Sequence, residues 1–523
     1  MSSIQGVKYI WRLPKISRES LASCKHTFSL SLPVLQALHH RGFKSQQEVE
    51  SFLFSSRERD VAHPSLLKDA SKAVERIVYA LKHQEKILIA GDYDVDGITS
   101  SALMLLCLLP LGARVNFFLP NRARDGYGLS VKTIQKAAQS GYSVVITVDN
   151  GITAFEAARE AKKLGIDLII TDHHRPHEQV PEAFAVIDPY QEDCLYPYKK
   201  FAGVGVSFKL ITLLYEQLNK EIPTKVYELL LLGTVADVVP LTGENRFWVR
   251  HGLEKIQERE SFALTVLKTN ARITKPLLTS TDIGFFITPQ INALGRLEDP
   301  RDGVKFLLSS EFEETERIGQ VLKELNEIRK DIERSIVAEI EKQIEEGAIR
   351  VEDGVIIAAS NTWPTGVIGL VASRLVSKYN RPTLLFHLTD EGIAKGSCRS
   401  IPEFNLFNAL HNSRDLLISF GGHSVAAGLS LKAENIPTLK VRLEQELKTL
   451  LTAEDLCPKL SIDAELMLEE ANRKLLSDLA YLEPFGCENP CPVLYIKGAV
   501  IREKPTLLKG LHVRFSIFSE GII

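Results

Sequence analysis

Acidic and histidine residues follow apolar runs at five places in the first half of the chain. They are Asp92, Asp94 and Asp96; Asp149; Asp172, His173 and His174; Asp188; and Asp237. In an open parallel sheet, ligands collect at the carboxyl ends of the strands, so residues that follow such strands converge on one crevice. Carboxylates are ligands for Mg²⁺ and Mn²⁺, and Mn²⁺ also accepts imidazole. The pattern predicts a centre for two divalent ions, which suits phosphodiester hydrolysis.

The aspartate triplet Asp92–Asp96 carries the clearest signal for metal. If this segment is extended, its three carboxylates face one side, and their repulsion is costly unless cations neutralise it. Gly97 would let the backbone turn sharply into the next helix. Asp188 precedes a proline, so a turn is an equal alternative to a ligand role there. Asp237 ends a long apolar run, where a carboxylate without a partner would be poorly solvated, and this favours a ligand.

The elements that must position these residues are short apolar strands alternating with helical stretches. Such alternation predicts βαβ units and a parallel sheet. Residues 311–347 have apolar side chains at three- and four-residue steps. This stripe predicts a long helix that connects two domains rather than an ordinary surface helix. The predicted α/β organisation is a helical leader (1–75), a parallel-sheet domain (76–310), the connecting helix (311–347), a smaller α/β domain (348–452) and a partial β-barrel (455–523).

Composition limits the classes of function. A chain of 523 residues is too long for one domain. Its net charge of −3 means that a nucleic acid would have to be held by a local groove. The seven cysteines include no Cys-x-x-Cys pair, which indicates free thiols in a reducing cytoplasm. No run approaches the ~18 apolar residues of a membrane helix, and the first residues lack the features of a signal peptide.

The motifs resemble those of a known superfamily. Asp-x-Asp-x-Asp-Gly, Val-Asp-Asn-Gly, Asp-His-His and Asp-Val-Val-Pro, in this order, are similar to the DHH phosphoesterases. Residues 292–296, 396–400 and 421–423 resemble the DHHA1-type companion domain, and residues 483–490 resemble the start of the OB domain of the RecJ family. Because the order and spacing match over almost the whole chain, the sequence is identified as a member of the RecJ family of bacterial single-strand-specific exonucleases.

The resemblance implies a catalytic set and a metal-binding set. The implied catalytic residues are Asp94, Asp96, Asp149, His173, His174 and Asp237, and all of them except His174 would bind metal. Asp149 would bridge the two ions, and His174 would lie near the substrate phosphate. Asp92 and Asp172 would support the ligands, Asp172 by holding a histidine in its ligating tautomer. The implied cofactors are two divalent ions, Mn²⁺ or Mg²⁺.

The resemblance also implies a set of phosphate-binding residues: Arg122 at the scissile or terminal phosphate, Arg296, Ser397 and Arg399 in a pocket for a 5′-terminal phosphate, and Arg374 and His423 as further backbone contacts. Guanidinium groups suit phosphate oxygens because they bind them bidentately. A salt bridge to Glu298 or Asp299 is the alternative for Arg296. Cys398 stands where the family commonly has glycine, which puts the detailed shape of that loop in doubt.

The implied function is 5′→3′ hydrolysis of single-stranded DNA by a two-metal mechanism, in DNA repair and recombination. The expected partners are single-stranded DNA, a single-strand-binding protein and a helicase, and the expected state is a monomer without a membrane anchor. The alternatives are a phosphodiesterase for short or cyclic oligonucleotides, a manganese-dependent pyrophosphatase and a non-catalytic scaffold. The intact motifs count against the scaffold, and the extra domains count against the pyrophosphatase.

The predicted barrel carries two further expectations. Its aromatic residues either stack on bases or belong to the core; these are Phe485, Tyr495, Phe515 and Phe518. Alternation over residues 512–518 predicts one strand. Five strands and their loops usually need about 70–100 residues, so the barrel is expected to be incomplete.

Overall fold

A computed structural model describes residues 3–14, 21, 29–121, 126, 128–509 and 512–518. The chain forms two compact units: the larger contains Pro14–Leu325 and Asp463–Ile523, and the smaller contains Met1–Leu13 and Asn326–Ile462. The strands are β1 (Ser3–Gln5), β2 (Ile10–Arg12), β3 (Lys86–Ala90), β4 (Arg114–Phe118), β5 (Tyr142–Val148), β6 (Asp167–Thr171), β7 (Ala185–Ile187), β8 (Ile356–Ser360), β9 (Thr383–Leu388), β10 (Ile393–Arg399), β11 (Leu417–Gly422), β12 (Ala426–Lys432), β13 (Lys459–Ser461), β14 (Ala464–Glu465), β15 (Leu494–Tyr495), β16 (Val500–Ile501), β17 (Thr506–Leu508), β18 (His512–Arg514) and β19 (Ile517–Phe518).

The α-helices of four or more residues alternate with most strands of the parallel sheet, and seven of them follow one another in the fully described stretch between β7 and β8. The described α-helices of this length are α1 (Leu32–His40), α2 (Gln46–Leu53), α3 (Arg57–Asp60), α4 (Ala70–Lys82), α5 (Val95–Leu108), α6 (Val131–Gln139), α7 (Phe155–Lys163), α8 (Gly203–Gln217), α9 (Lys225–Ala236), α10 (Gly243–Glu258), α11 (Phe262–Asn270), α12 (Thr288–Leu297), α13 (Arg301–Leu308), α14 (Phe312–Glu345), α15 (Thr365–Tyr379), α16 (Leu406–Asn412), α17 (Ile436–Leu450) and α18 (Arg473–Ala480). A short helix, Ser280–Asp282, and a π-helical turn, Ile283–Ile287, precede α12.

The larger unit is built on a five-stranded parallel sheet in the order β4-β3-β5-β6-β7. Its strands β3, β5 and β6 are mostly apolar and buried because helices cover both faces, whereas the residues of the edge strand β4 are exposed or half-buried. In β3, Ile87 and Ile89 face the core that includes α4, α5 and α8, while Leu88 and Ala90 face the core that includes α6 and α7. The strand order reverses between β3 and β5, and ligands bind at such a reversal in open α/β sheets.

A buried arginine ties three distant segments of the larger unit together. Arg246 in α10 donates from Nε to Phe52 O at 2.8 Å, from Nη1 to Leu482 O at 2.9 Å and from Nη2 to Tyr481 O at 2.8 Å. Burial, together with the charges of Arg250 and Arg41, lowers its pKa to about 9. Backbone carbonyl oxygens therefore partner this guanidinium, and they hold helix α2 and the segment after α18 against the parallel-sheet domain.

The smaller unit is a mixed sheet in the order β11-β12-β10-β9-β8 with helices packed on it. Strands β8 and β9 are parallel, and the other neighbours are antiparallel. Helix α17 buries Leu439, Leu443 and Leu447 in the core of this unit. The predicted connecting helix is confirmed as α14, which begins in the larger unit and ends in the smaller.

Two sequence predictions about local structure differ from the fold. The leader is helical from Leu32, but its first described residues form β1 and β2, because β2 pairs in parallel with β13 far along the chain. Residues 512–518 form two short strands instead of one: β18 pairs with β17, and β19 pairs with β16. The partner of β2 lies far along the chain, where local alternation cannot reveal it, and the strands at 500–518 are too short for alternation to show where one ends and the next begins.

Within the described residues, none of the helices combines the length and the apolar character needed to cross a membrane.

Candidate metal centre

The aspartate triplet lies in a turn from strand to helix. Asp94 is the N-cap of α5, and its Oδ1 accepts hydrogen bonds from Asp96 N at 3.0 Å and Gly97 N at 3.2 Å. The triplet is therefore not extended throughout: Asp94 has an extended backbone, and Asp96 already lies in the first turn of α5. Gly97 lets the start of α5 pack against the backbone of Asp92, since a Cβ at this position would lie 2.4 Å from Asp92 O.

Asp96 is buried against the N-terminus of helix α8. Its Oδ2 accepts from Gly203 N at 2.6 Å, and its Oδ1 accepts from Val204 N at 2.8 Å. A helix N-terminus stabilises a negative charge in this way. Burial and the nearby Asp94 nevertheless raise the pKa of Asp96 to about 7. Backbone donors orient this carboxylate, and other carboxylates lie close to it. Such an arrangement is expected for a group that binds a cation.

Asp149 follows β5 and has a left-handed backbone with φ of +62°. It is 3% exposed, and a Cβ on Gly203 would lie only 2.5 Å from its own Cβ. Burial, followed by the charges of Asp96, Asp94, Asp237 and Asp92, raises its pKa well above the usual value. Desolvation and like charge both oppose ionisation of Asp149, so a bound cation would remove a large electrostatic cost.

The Asp-His-His segment follows β6 and holds its two rings differently. Asp172 Oδ1 accepts from His174 Nδ1 at 2.8 Å, and its Oδ2 accepts from Ile152 N at 2.8 Å. The histidine held by Asp172 is therefore His174. Burial would lower the pKa of His174, but the hydrogen bond and charge of Asp172 outweigh it and raise the pKa to about 9.

His173 provides the sharpest test of whether the site fits a metal ion. Its buried Nε2 makes no hydrogen bond to any residue that the structure describes, although carboxylate oxygens of three aspartates lie 3.1 to 3.9 Å away: Asp149, Asp237 and Asp96. Burial, and then the charge of His174, lower the pKa of His173 to about 4. A neutral buried imidazole that faces several carboxylates has the chemistry of a metal ligand, so the residues fit the predicted ions.

Asp237 enters the site from a helix. It is the C-cap of α9, so the apolar run before it is a helix and does not belong to the strands predicted to position the site; a helix buried on most sides has no apolar period to distinguish it from a strand. Burial, followed by the charges of Asp96 and Asp94, raises the pKa of Asp237 well above normal. The next residue, Val238, has φ of +60° and is 67% exposed.

The carboxylates and imidazoles form three overlapping groups whose potential ligand atoms lie within 4.8 Å of one another. These are Asp92, Asp94 and Asp149; Asp96, His173 and Asp237; and Asp149, His173 and His174. Asp149 and His173 each belong to two groups, so the groups form one continuous cluster. Asp188 follows β7 and is in none of these groups; its Oδ1 accepts from Tyr190 N at 2.7 Å, as in the turn proposed for it.

The cluster borders a cavity of about 190 Å³ within the larger unit. Helix α12 supplies part of its wall through Asn292, Gly295 and Arg296, and a Cβ on Gly295 would lie 2.1 Å from Tyr93 O. Arg296 is thus brought to the acidic cluster, whereas Arg122 lies outside the described residues. The cavity joins candidate metal ligands to a guanidinium group that suits a phosphate.

Sequence reasoning missed the glycines that make this packing possible. Gly203 approaches Asp149, and a Cβ on Gly233 would lie 2.3 Å from Thr99 Oγ1 and 3.0 Å from Asp96 Oδ1. The pattern Gly203-Val204-Gly205 at the start of α8 is the one available signal, because glycines at a helix N-terminus allow an anionic group to approach the backbone closely.

In the smaller unit, Ser397 and Arg399 lie together on β10. Arg399 Nη1 donates to Cys398 O at 2.8 Å and to Ser397 Oγ at 3.5 Å. A Cβ on Gly369 of α15 would lie 2.7 Å from Ser397 Oγ and 3.3 Å from Arg399 Nη2. Cys398 is buried in the core of this unit and lies within the strand, so it does not alter a loop.

The two other predicted contacts in this unit lie elsewhere on it. Arg374 in α15 is more than half exposed, and its Nη1 lies 3.4 Å from Glu333 Oε1. His423 is exposed in the turn between β11 and β12, where its N donates to Ala426 O at 2.7 Å. Both positions are accessible to a ligand, but neither belongs to the Ser397–Arg399 pair.

Three family models match the chain: the DHH family N-terminal domain over residues 86–234, the DHHA1 domain over residues 352–449 and the RecJ OB domain over residues 462–522. Residues 292–296 lie outside the DHHA1 match and within the larger unit. The assignment of this motif to the DHHA1-type domain is therefore corrected.

Relatives extend the similarity over most of the chain. The single-stranded-DNA-specific exonuclease RecJ of Bacillus subtilis (strain 168) is 36% identical over 516 residues, which are 98% of this chain and 65% of the relative. RecJ of Escherichia coli (strain K12) is 33% identical over 88% of this chain and 82% of the relative. The crystal structure of RecJ in complex with Mn²⁺ from Thermus thermophilus matches with a TM-score of 0.83 and 28% identity, over 97% of this chain and 72% of that one. The chain thus spans just under two thirds of the Bacillus subtilis relative.

Proposed function

The chain belongs to the RecJ family of single-stranded-DNA-specific exonucleases, and we propose that it hydrolyses single-stranded DNA from a 5′ end with two divalent metal ions, Mn²⁺ or Mg²⁺. The observation that carries this proposal is the continuous cluster of aspartates and histidines at one cavity. Manganese in the similar Thermus thermophilus RecJ supports the choice of metal. The family's role supports action in DNA repair and recombination.

The proposed metal ligands are the residues that the cluster brings together: Asp94, Asp96, Asp149, His173 and Asp237. Asp149 is the proposed bridging ligand, which its membership of two groups supports. When bound, two ions would stabilise the negative charge that develops on the phosphate and lower the pKa of a water nucleophile. Asp92, which shares a group with Asp94 and Asp149, would orient these ligands.

The chain's own residues bind and orient the phosphodiester. Asp172 fixes the ring of His174 at the cavity wall through the Nδ1 hydrogen bond. We assign His174 to the oxygens of the scissile phosphate, because it lines the cavity and can donate a hydrogen bond to anionic oxygen. Arg296 lines the same cavity and remains proposed, from the family resemblance, for the 5′-terminal phosphate. Arg122 is proposed for the scissile or terminal phosphate, also from the family resemblance.

In the smaller unit, we propose that Ser397 and Arg399 bind the 5′-terminal phosphate and that Arg374 and His423 contact the DNA backbone. The closeness of Ser397, Arg399 and Gly369 supports the first assignment, since the glycine lets the backbone of α15 approach the hydroxyl and the guanidinium that would bind the phosphate. A single-strand-binding protein and a helicase as partners, a monomeric state and a cytoplasmic location are proposed from the family resemblance alone.

A side-by-side assay tests the proposed function. The purified chain is offered a long labelled single strand, a trinucleotide, a cyclic dinucleotide and pyrophosphate, each with Mn²⁺. We expect mononucleotides to be released from the 5′ end of the long strand much faster than the other substrates are cleaved. Faster turnover of the cyclic dinucleotide or of pyrophosphate would replace the exonuclease with one of the alternative phosphoesterases, and no turnover of any substrate would favour the scaffold.

A further inference from the structure

The backbone directly after Asp237 is held in a strained shape. Val238 has φ of +60°, which a β-branched residue rarely adopts, and its side chain is largely exposed, so its own burial does not compensate. Such conformations persist where the surrounding structure imposes them, and they cluster at functional sites. Contacts made by other residues must therefore hold the segment Asp237–Leu241, here called the strap, in this conformation.

The far end of this strap is clamped by the C-terminal part of the larger unit. Leu241 is 3% exposed, and its N donates to Cys487 O at 2.9 Å. Gly486 packs so closely on this leucine that a Cβ would lie 2.6 Å from Leu241 Cδ1. The motif that marks the start of the OB region is thus seated on the strap that carries a proposed metal ligand.

Asn489 gives the clamping loop, residues 482–490, its shape. It is buried, and its Nδ2 donates to Leu482 O at 2.8 Å and to Pro484 O at 2.7 Å, while its Oδ1 accepts from Arg41 Nη1 at 2.7 Å. Its backbone pairs with Gly486 in both directions. One amide side chain therefore satisfies three partners and sets the position of the groups that meet Leu241.

The same loop contacts a second part of the site. Ser280 Oγ donates to Phe485 O at 2.6 Å, and Ser280 begins the helical segment that leads into α12, whose Asn292 and Arg296 line the cavity. The loop therefore reaches both the strap behind Asp237 and the start of the segment that forms the cavity wall.

We propose that residues 482–490 are a positioning element of the metal centre, in which Asn489 shapes the loop and the loop sets the position of Asp237 through Leu241. This inference rests on the proposed function, because the position of Asp237 matters to catalysis only if the cavity binds metal. The C-terminal region then contributes to metal affinity.

Asn489→Ala and Gly486→Ala test the proposal in the full chain. The first removes the three hydrogen bonds of the amide, and the second forces Leu241 to move. Asn472→Ala is the matched control: Asn472 caps α18 by accepting from Leu475 N, so this change weakens the same segment without touching the strap. Binding of Mn²⁺ without DNA is followed by the electron paramagnetic resonance signal of the free ion, and melting temperature and DNA hydrolysis are measured in parallel.

We expect both loop variants to raise the Mn²⁺ concentration for half-saturation by roughly 10-fold, the lower range for groups that orient ligands, while Asn472→Ala leaves it unchanged. Unchanged Mn²⁺ binding in the loop variants overturns the positioning role, as does an equal loss in the control. If Asn489→Ala does not fold, Gly486→Ala decides. Failure of the wild-type chain to bind Mn²⁺ would instead reject the proposed function itself.

Discussion

Asp149 combines a left-handed backbone, near-complete burial and contact with the start of α8. As the proposed bridging ligand it serves both ions, so Asp149→Ala should lower the rate of hydrolysis more than about 100-fold, beyond the loss expected for a residue that only orients a ligand. Binding of single-stranded DNA, measured by fluorescence anisotropy, should persist, because the phosphate-binding residues are intact. Near-normal turnover in Mn²⁺ would contradict the bridging role.

Asp188 offers a matched control for that experiment. It is a buried aspartate at the end of a strand of the same sheet, but it lies outside the ligand groups. Asp188→Asn preserves an acceptor for Tyr190 N, so hydrolysis should stay within about threefold of wild type, equivalent to less than 1 kcal/mol. A loss as large as that of Asp149→Ala would show that the turn interpretation of Asp188 is wrong.

At the residue scale, the sequence was sufficient to select residues that the structure brings together, but not to predict their contacts. Asp149, His173 and Asp237 could be identified because acids and histidines after apolar runs are costly without a partner. The hydrogen bond from His174 to Asp172 could not be predicted, since the sequence does not show which of the two histidine rings turns towards the carboxylate. The role of Gly203 was missed because its partner, Asp149, lies far away in the sequence.

The N-terminus of α8 is the element on which two proposed ligands depend. It donates two backbone hydrogen bonds to Asp96 and packs against Asp149 through Gly203. Gly203→Ala should displace the helix end or Asp149 and reduce hydrolysis at least roughly 10-fold, as loss of ligand orientation does. Gly205→Ala is the control, because its Cβ would contact only the Phe201 side chain among its three nearest neighbours. Equal activity of the two variants in a Mn²⁺ titration would contradict this account.

Strand β10 presents the second element-scale test. Arg399→Ala should slow degradation of 5′-phosphorylated strands more than that of 5′-hydroxyl strands, because the lost guanidinium is proposed to bind the terminal phosphate. A charge-assisted hydrogen bond of about 1.5–3 kcal/mol corresponds to a selective loss of roughly 10- to 150-fold. Arg442→Ala, which removes an exposed ion pair with Asp415 in the same unit, should change neither rate. An equal slowing of both substrates by Arg399→Ala would reject the terminal-phosphate pocket.

The sequence predicted elements well where burial dictates a continuous pattern. The strands of the parallel sheet were identifiable because both faces are covered, and α14 because its apolar stripe is long. The run before Asp237 was misassigned because α9 is buried nearly all round, which removes the helical period. The pairs β1–β2 and β18–β17 were missed because strands of three residues contain too little pattern.

The stability of the whole metal-free molecule should fall as the pH rises from 5 to 7.5. Folding raises the pKa of Asp96 to about 7 and that of Asp149 and Asp237 well above normal, so in this range the folded state binds more protons than the unfolded state. His173, with its pKa lowered to about 4, opposes the trend below pH 6.5, whereas Asp188 and His174, whose pKa values are raised to about 8 and about 9, add to it.

Differential scanning fluorimetry checks this expectation. The melting temperature of the chelated protein should drop by at least roughly 3 °C between pH 5 and 7.5, a shift equivalent to roughly 2 kcal/mol for a unit the size of the larger one. Added Mn²⁺ should restore more at pH 7.5 than at pH 5, because ligands must lose their protons to bind it. Asp96→Asn should flatten the pH dependence. A melting temperature that rises with pH in the absence of metal would contradict the assigned pKa shifts.

The contact between Leu241 and Cys487 also has a consequence during synthesis of the protein on the ribosome. The strap behind Asp237 is synthesised about 250 residues before the loop that contacts it. In the same way, Arg246 is synthesised long before its hydrogen-bond acceptor Leu482. At about 5–20 residues per second, this delay lasts roughly 10 to 50 s. If the clamp sets the metal centre, a nascent chain carries every metal ligand long before it can cut. The order of synthesis would then keep the proposed nuclease inactive towards single-stranded nucleic acid in the cell until its C-terminal region has been made.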